Sequence, residues 1–356
     1  MEFMDKVLMK GNEAIAEAAI KAGCTHFFGY PITPQNQVPE YMSKRMPQIG
    51  GTFIQAESEV SAINMVYGAA GAGARVMTSS SSPGISLKQE GISYIACAQL
   101  PCLIVNIIRS GPGLGGILPS QGDYFQATKG GGHGDYHLVV LAPSSVQEAA
   151  DLVAEGFDIA DQYRIPVMIL GDGMIGQMME PVAFKETKGR DLPEKTWAAN
   201  GWKDKSRQRN IINSLYLEAE SMKEVNDQLQ AKYAEITKNE TRVQEFMTED
   251  ADYVIAAFGT TARIAKNAAL KAREMGIKVG VIRPITLWPF PSDAFAQAAE
   301  HVKGILCVEM NTGQMIEDVR LAVNGKVPVE FYGTVGGFIP TPDAVVDAVK
   351  KLKEGK

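Results

Sequence analysis

The chain has 356 residues, 45% of them hydrophobic, with 35 basic and 41 acidic side chains and a formal net charge of -6. That length supports two or three domains with real cores, and the acidic balance argues against nucleic acid or an anionic membrane surface as a partner. The four cysteines form no C-x-x-C pair and no apolar run reaches the roughly 18 residues of a membrane helix, so a metal-cluster chain, a disulfide framework and a membrane protein are set aside and a soluble cytoplasmic protein is expected.

In chain order, residues 7–29 read as a short strand, a helix over 11–22 capped by Asn12 and ended by Gly23, and a second strand over 26–29. The turn Tyr30-Pro31-Ile32-Thr33-Pro34 follows. Its two prolines fix the backbone around Thr33 and would pre-aim the hydroxyl; taken alone, the turn reads rather as an ordinary Pro-rich connector. The stretch 55–84 reads as helix, tight turn, strand and polar loop. Its helix begins near Ser58, and the small residues 69–73 would let a backbone or a flat ligand approach closely, at some cost in helix propensity. A strand over 75–78 then delivers Ser79 to Ser82 to its carboxyl end, where open α/β sheets bind ligands. A plain βα unit with a Gly/Ser connector fits the same spacing.

A helix over 85–99 and the continuous apolar strand CLIVNII at 102–108 come next. Arg109 ends that strand and opens a long glycine-rich loop. A guanidinium there suits bidentate binding of a carboxylate or phosphate, with a surface ion pair as the alternative. Beyond KGGGHGDYH at 129–137, the pattern gives a strand over 138–142, a helix over 145–162 opened by the capping-box pair Ser145 and Glu148, and a strand over 166–170 leading into Gly171-Asp172-Gly173. This alternation predicts a doubly wound, mostly parallel sheet over 1–185.

Residues 186–250 are polar, carry Trp197 and Trp202, and predict a linker with one or two amphipathic helices over 209–238 that bridge domains, Glu218, Glu220, Lys223 and Glu224 forming a solvated face. From 251 the alternation resumes, with strands over 253–258, 278–282, 305–309 and 327–331, as a second, smaller α/β domain. Its Gly-Thr-Thr turn at 259–261 predicts helix capping by Thr260 or Thr261, with an anion site as the alternative.

Six stretches together resemble the α subunit of 2-oxoacid:ferredoxin oxidoreductases across nearly the whole chain: Gly11-Asn12-Glu13-Ala14, the 30–34 turn, AESEVSAINMVYGAA at 56–70, TSSSSPGISLKQE at 78–90, VNIIRSGPG at 105–113 and KGGGHGDYH at 129–137. ITPQNQVPEY and INMVYGAAGAGARVMTSSSSPG are similar to the branched-chain type, which acts on 2-oxoisovalerate (3-methyl-2-oxobutanoate). The resemblance implies a thiamine-pyrimidine-binding domain over 1–185 and a transketolase-C-terminal-like domain over 251–356. It implies thiamine diphosphate shared with a partner subunit. Glu59 aligns with the glutamate that hydrogen-bonds the cofactor's aminopyrimidine ring, with Tyr30, Ser81, Ser82 and Gly84 as further cofactor-binding positions, while Glu57 is solvated or capping. Thr33 and Arg109 match residues that hold the 2-oxoacid's carboxylate and carbonyl.

The resemblance also implies a β subunit carrying the diphosphate and Mg²⁺ site and a [4Fe-4S] cluster, γ and ferredoxin-like subunits, ferredoxin as electron acceptor and coenzyme A as acyl acceptor. Asp172 with Asn200 superficially matches the Mg²⁺-binding motif of thiamine enzymes, but the interval KETKGRDLPEKTWAAN is charged and proline-broken where that motif needs a helix and an apolar strand. Three rival readings stand beside this one: 2-oxoglutarate or another 2-oxoacid as substrate, a non-catalytic α/β scaffold subunit, and a self-sufficient thiamine decarboxylase that would need Asp172 and Asn200 to hold Mg²⁺.

Overall fold

A computed structural model of the chain describes residues 6–184, 189–202 and 205–355. The apolar run Cys102–Ile108 is buried along its whole length, as a strand covered on both faces must be. Around it the chain places β1 (Val7–Lys10), α1 (Gly11–Lys21), β2 (His26–Gly29), α2 (Gln37–Arg45), β3 (Thr52–Gln55), α3 (Glu59–Gly71), β4 (Val76–Ser80) and α4 (Pro83–Cys97). The run itself is β5 (Cys102–Ile108), followed by α5 (Tyr124–Thr128), β6 (Val139–Leu141), α6 (Val146–Tyr163), β7 (Pro166–Asp172), α7 (Gly173–Gln177) and β8 (Met179–Val182). The remainder forms α8 (Ala219–Glu240), β9 (Val243–Phe246), β10 (Tyr253–Ala256), α9 (Gly259–Glu274), β11 (Val279–Pro284) and β12 (Thr286–Trp288). It ends with α10 (Ser292–Ala298), β13 (Gly304–Glu309), α11 (Met315–Val323), β14 (Val329–Gly333) and α12 (Pro342–Glu354).

A seven-stranded sheet has the order β12-β6-β7-β5-β4-β2-β3, parallel except for β12. From β2 the chain leaves to β3 on one side, and from β4 to β5 on the other. Such a switch point opens a crevice at the strands' carboxyl ends. The 30–34 turn and Ser80 to Ser82 emerge there. One face of the sheet is covered by α1, α6 and α8, and the other by α3 and α4, whose core is continuous with Val254, Phe258, Ile282 and Phe295 of the C-terminal part. The second sheet has the order β14-β13-β10-β11-β9, with β9 antiparallel.

Several expectations are corrected. Asn12 does not cap α1: its Nδ2 donates to Pro34 O and Gln37 Oε1, both at 2.8 Å, so it ties the helix to the 30–34 turn. Of the helical stretch expected over 209–238, only α8 from Ala219 onward is helical. The preceding residues carry no regular secondary structure. Asn210 Nδ2 donates to Ala198 O at 2.9 Å, and Ile212 seats beside Gly71, whose missing Cβ would lie 3.6 Å away. α8 is not a free bridge either, because Val225, Leu229, Tyr233 and Ile236 pack into the first sheet's core, a stripe at helical spacing.

The 250/251 boundary is also crossed twice. β9, within the stretch expected as linker, pairs with β11, and β12 returns to pair with β6. Trp288 of β12 stacks on His137 at 4.5 Å and meets Tyr233 of α8 edge-on at 5.4 Å, so aromatic burial fixes the crossing. The boundary expected at 185/186 lies outside the described residues. Cys24, Cys102 and Cys307 are buried free thiols and Cys97 is half-buried.

Candidate active site

Ser58 caps α3 through its Oγ, which accepts from the Ser61 N–H at 3.2 Å, and this makes Glu59 the first helical residue. Glu57 stays at the surface, accepting from Ser61 Oγ at 3.1 Å. Glu59 is only 6% exposed. Its carboxylate lies over Gly84, where a Cβ would come within 2.7 Å of Oε1 and within 2.1 Å of Ser80 Oγ. The glycine is therefore dictated by close approach. One turn further along α4, the fully buried Lys88 donates from Nζ to Thr78 Oγ1 at 2.6 Å and to Ser79 O at 3.1 Å. Burial pushes the Lys88 pKa down to about 7, against the raising effect of Glu59. Ser80 Oγ and Ser81 Oγ are buried without a hydrogen-bond partner.

Arg109, at the end of β5, is 7% exposed. Its Nη1 donates to Thr33 O at 3.0 Å and its Nη2 to Leu114 O at 2.8 Å, while Nε is buried with no partner. The guanidinium thus pins the 30–34 turn and the glycine-rich loop together and leaves its Nε–H unused. Thr33 Oγ1 accepts from Asn36 Nδ2 at 3.2 Å, a bond that does not use its hydroxyl proton. Beside them Ser82 has φ 21, a strained value for a serine. Three bonds hold it: its N–H to Asn106 Oδ1 at 3.2 Å, its Oγ to Asp123 Oδ2 at 2.7 Å, and the Arg109 N–H to its Oγ at 3.1 Å. Burial raises the Asp123 pKa, opposed by the bonds from Asn106 and Ser82.

Arg109 and Ser82 line a cleft of about 330 Å³ whose far wall is Met310, Asn311, Thr312 and Gln314. The structure thus brings Thr33, Arg109 and Ser82 together by hydrogen bonds, and Glu59, Gly84 and Ser80 by direct packing. Ser81 joins the two groups along the chain. Tyr30 is exposed and joins the site through its carbonyl, which accepts from Gln35 Nε2 at 3.3 Å; Gln35 in turn accepts the Ser79 hydroxyl at 2.6 Å.

Lys88, Asn106 and Asp123 are participants that sequence reasoning passes over. Two leave a signal. Asn106 is the one polar residue in CLIVNII, and Lys88 interrupts the buried stripe Ile85, Ile92, Ile95 on α4.

Asp172 serves as a cap. Its Oδ1 accepts from Met174 N at 2.8 Å and Ile175 N at 3.2 Å, opening α7. Burial raises its pKa, opposed by Thr260 and by these two N–H groups. Neither threonine of the 259–261 turn caps α9: Phe258 is the N-cap with no side-chain cap, and Thr261 Oγ1 donates to Phe258 O at 2.7 Å. Asn200 is exposed, and among the described residues no group of three His, Cys, Asp or Glu side chains is placed to hold a metal.

Residues 17–248 match the family described as pyruvate flavodoxin/ferredoxin oxidoreductase, thiamine diphosphate-binding, and residues 251–345 match pyruvate:ferredoxin oxidoreductase core domain II. Ketoisovalerate oxidoreductase subunit VorB of Methanothermobacter thermautotrophicus is 48% identical over 98% of this chain and 97% of its own length. The 2-oxoglutarate synthase subunit KorA of the same organism is 34% identical over 98% of this chain and 99% of its own. Among solved structures, the 2-oxoglutarate:ferredoxin oxidoreductase of Magnetococcus marinus, with 2-oxoglutarate, coenzyme A and succinyl-CoA bound, superposes with a TM-score of 0.88 at 26% identity, over 98% of this chain and 65% of that one. A split-gene transketolase shares the fold, with a TM-score of 0.58 over 97% of this chain.

Proposed function

We propose, because this chain belongs to the family of pyruvate flavodoxin/ferredoxin oxidoreductases, that it is the subunit of a branched-chain 2-oxoacid:ferredoxin oxidoreductase that supplies the aminopyrimidine side of a thiamine diphosphate site. One observation carries the reading: a buried glutamate at a helix start, packed over a glycine that clears its carboxylate, beside the unpartnered hydroxyls of Ser80 and Ser81. Those unsatisfied polar atoms fit a flat ring bearing hydrogen-bonding nitrogens. Thiamine diphosphate, when bound, supplies the carbanion stabilisation that 2-oxoacid decarboxylation needs. Glu59 holds the proton exchanged with the ring nitrogen. Ser81, Ser82, Gly84 and the Tyr30 turn wall that side of the site. Thr33 through its hydroxyl and Arg109 through its unused Nε–H orient the substrate's carbonyl and carboxylate, a proximity contribution.

Residues 1–185 act as the pyrimidine-binding domain and 251–356 as the second domain, and the expected linker 186–250 joins them with α8 packed on the first sheet and β9 paired into the second. With Asp172 committed to capping, a β subunit brings the diphosphate and Mg²⁺ site and a [4Fe-4S] cluster, further γ and ferredoxin-like subunits complete the complex, and coenzyme A and ferredoxin are its co-substrates in the cytoplasm. 2-Oxoisovalerate is the favoured substrate on the strength of 48% against 34% identity.

The test is viologen or ferredoxin reduction by the purified complex with coenzyme A and, separately, 2-oxoisovalerate, 2-oxoglutarate, pyruvate and indolepyruvate. Preference for 2-oxoisovalerate is expected, and Glu59→Gln should abolish most turnover while the complex still assembles. Preference for another acid overturns the substrate assignment alone. No reduction with any acid, or a fully active Glu59→Gln complex, overturns the catalytic reading.

A further inference from the structure

We infer, resting on the reading of Glu59 just given, that Lys88 is a positioning residue for that carboxylate: an ammonium held behind Gly84 by Thr78 and Ser79 that keeps Glu59 in place over Gly84. A lysine with no exposed surface is a costly thing to place in a core unless something answers its charge. Its two hydrogen-bond acceptors, Thr78 Oγ1 and Ser79 O, are both neutral. The titratable groups facing it are Glu59 from α3 and Cys102 from β5. Burial pushes the Cys102 thiol up to about 12, so it carries no charge near neutrality. Glu59 is left as the counter-charge.

The placement agrees. Lys88 lies four residues beyond Gly84 on α4, on the same helix face, and Gly84 is where Glu59 Oε1 and Ser80 Oγ converge. Lys88 anchors to the two β4 residues directly before Ser80. Carboxylate, glycine and ammonium therefore form one packed unit spanning α3, α4 and β4. Because burial lowers the Lys88 pKa to about 7, the cation supports Glu59 at and below neutrality and fades above it.

Two variants of the assembled complex separate charge from scaffold. Lys88→Gln keeps hydrogen-bond donors without the charge, and Lys88→Met removes both. Because the cation fades above about pH 7, the wild-type advantage in kcat/KM over both variants should be largest below pH 7 and shrink above it. If Lys88 only ties α4 to β4, Lys88→Gln restores the wild-type profile, and the inference falls.

A second readout needs no turnover. In the cofactor-free complex, a lysine with a folded pKa of about 7 and an ordinary value of 10.5 binds fewer protons folded than unfolded between those values. Stability therefore rises with pH across that window, and the thermal midpoint of the wild type should gain on that of Lys88→Gln from pH 7 to 10. Parallel curves overturn the inference. Should the Lys88 variants fail to assemble, Thr78→Val removes one acceptor of the ammonium alone, and an unchanged kcat/KM in that folded variant overturns it equally. Glu59→Gln separates the two levels: retained turnover sinks the Glu59 reading, whereas its loss beside a wild-type kcat/KM profile in Lys88→Gln sinks only the role of Lys88.

Discussion

Gly84 serves this site through the side chain it lacks. A methyl group there would sit 2.1 Å from Ser80 Oγ and 2.7 Å from Glu59 Oε1, yet both are ends of side chains that can rotate away. Alanine is also the better helix former. Gly84→Ala should therefore fold with a thermal midpoint close to wild type while kcat falls about 100-fold, the scale expected when a reacting group is misplaced by an ångström. Kinetics alongside a melting curve check this; a large loss of stability with full activity per folded complex would contradict it. Arg109 poses the complementary case. Lysine keeps the charge but not the fork that spans Thr33 O and Leu114 O. A hydrogen bond from a charged donor is worth about 1.5–3 kcal/mol. Arg109→Lys should thus cost roughly 10- to 100-fold in kcat/KM, mostly as a raised KM for the 2-oxoacid, readable from initial rates against 2-oxoacid concentration.

Helix α3 shows how an element's start can set a site. Ser58 satisfies the Ser61 N–H and so fixes the turn from which Glu59 projects. Ser58→Ala should lose about 1 kcal/mol of stability and fray that turn, and Ser58→Thr should recover both stability and turnover. This start is legible in the sequence, because a serine before an acidic, apolar-periodic run is a strong signal, and so is the CLIVNII of β5, apolar but for Asn106. Other elements are not. β12 is three residues long and pairs across the domain boundary, with nothing local to announce that Trp288 packs on His137. The start of α8 is misplaced by sequence reasoning because residues 209–218 have a composition compatible with a helix, whereas bonds such as that from Asn210 to Ala198 O hold them outside one. At the site, Glu59, Thr33 and Arg109 stand out as motif residues. The Ser82, Asn106 and Asp123 network that supports them joins three separate segments, and no spacing rule reaches across them.

The two sheets do not meet as independent bodies, and Gln121 shows why. Its Nε2 donates to Phe258 O at 2.8 Å, its Oε1 accepts from the Met310 N–H at 2.9 Å, its backbone N–H donates to Met310 O at 2.9 Å, and its backbone O accepts from Asn311 Nδ2 at 2.9 Å. One buried residue of the N-terminal part thus bonds the start of α9 and the end of β13 at once. The same surfaces form the two walls of the cleft below Arg109, one from Ser82, Arg109 and Asp123 and the other from Met310 to Gln314. Loosening Gln121 must therefore act on stability and on ligand binding together. Gln121→Leu conserves most of the volume but leaves the buried Met310 N–H without that acceptor, a cost of about 1–3 kcal/mol, so the thermal midpoint should drop by a few degrees. KM should rise with kcat less affected, because the reacting groups sit on the N-terminal side and only the opposite wall shifts. Lys350→Ala, which breaks an exposed ion pair with Asp347 on α12, should change stability by less than about 0.5 kcal/mol and leave KM alone. Equal behaviour of these two variants would mean that the cleft owes nothing to how the domains are joined.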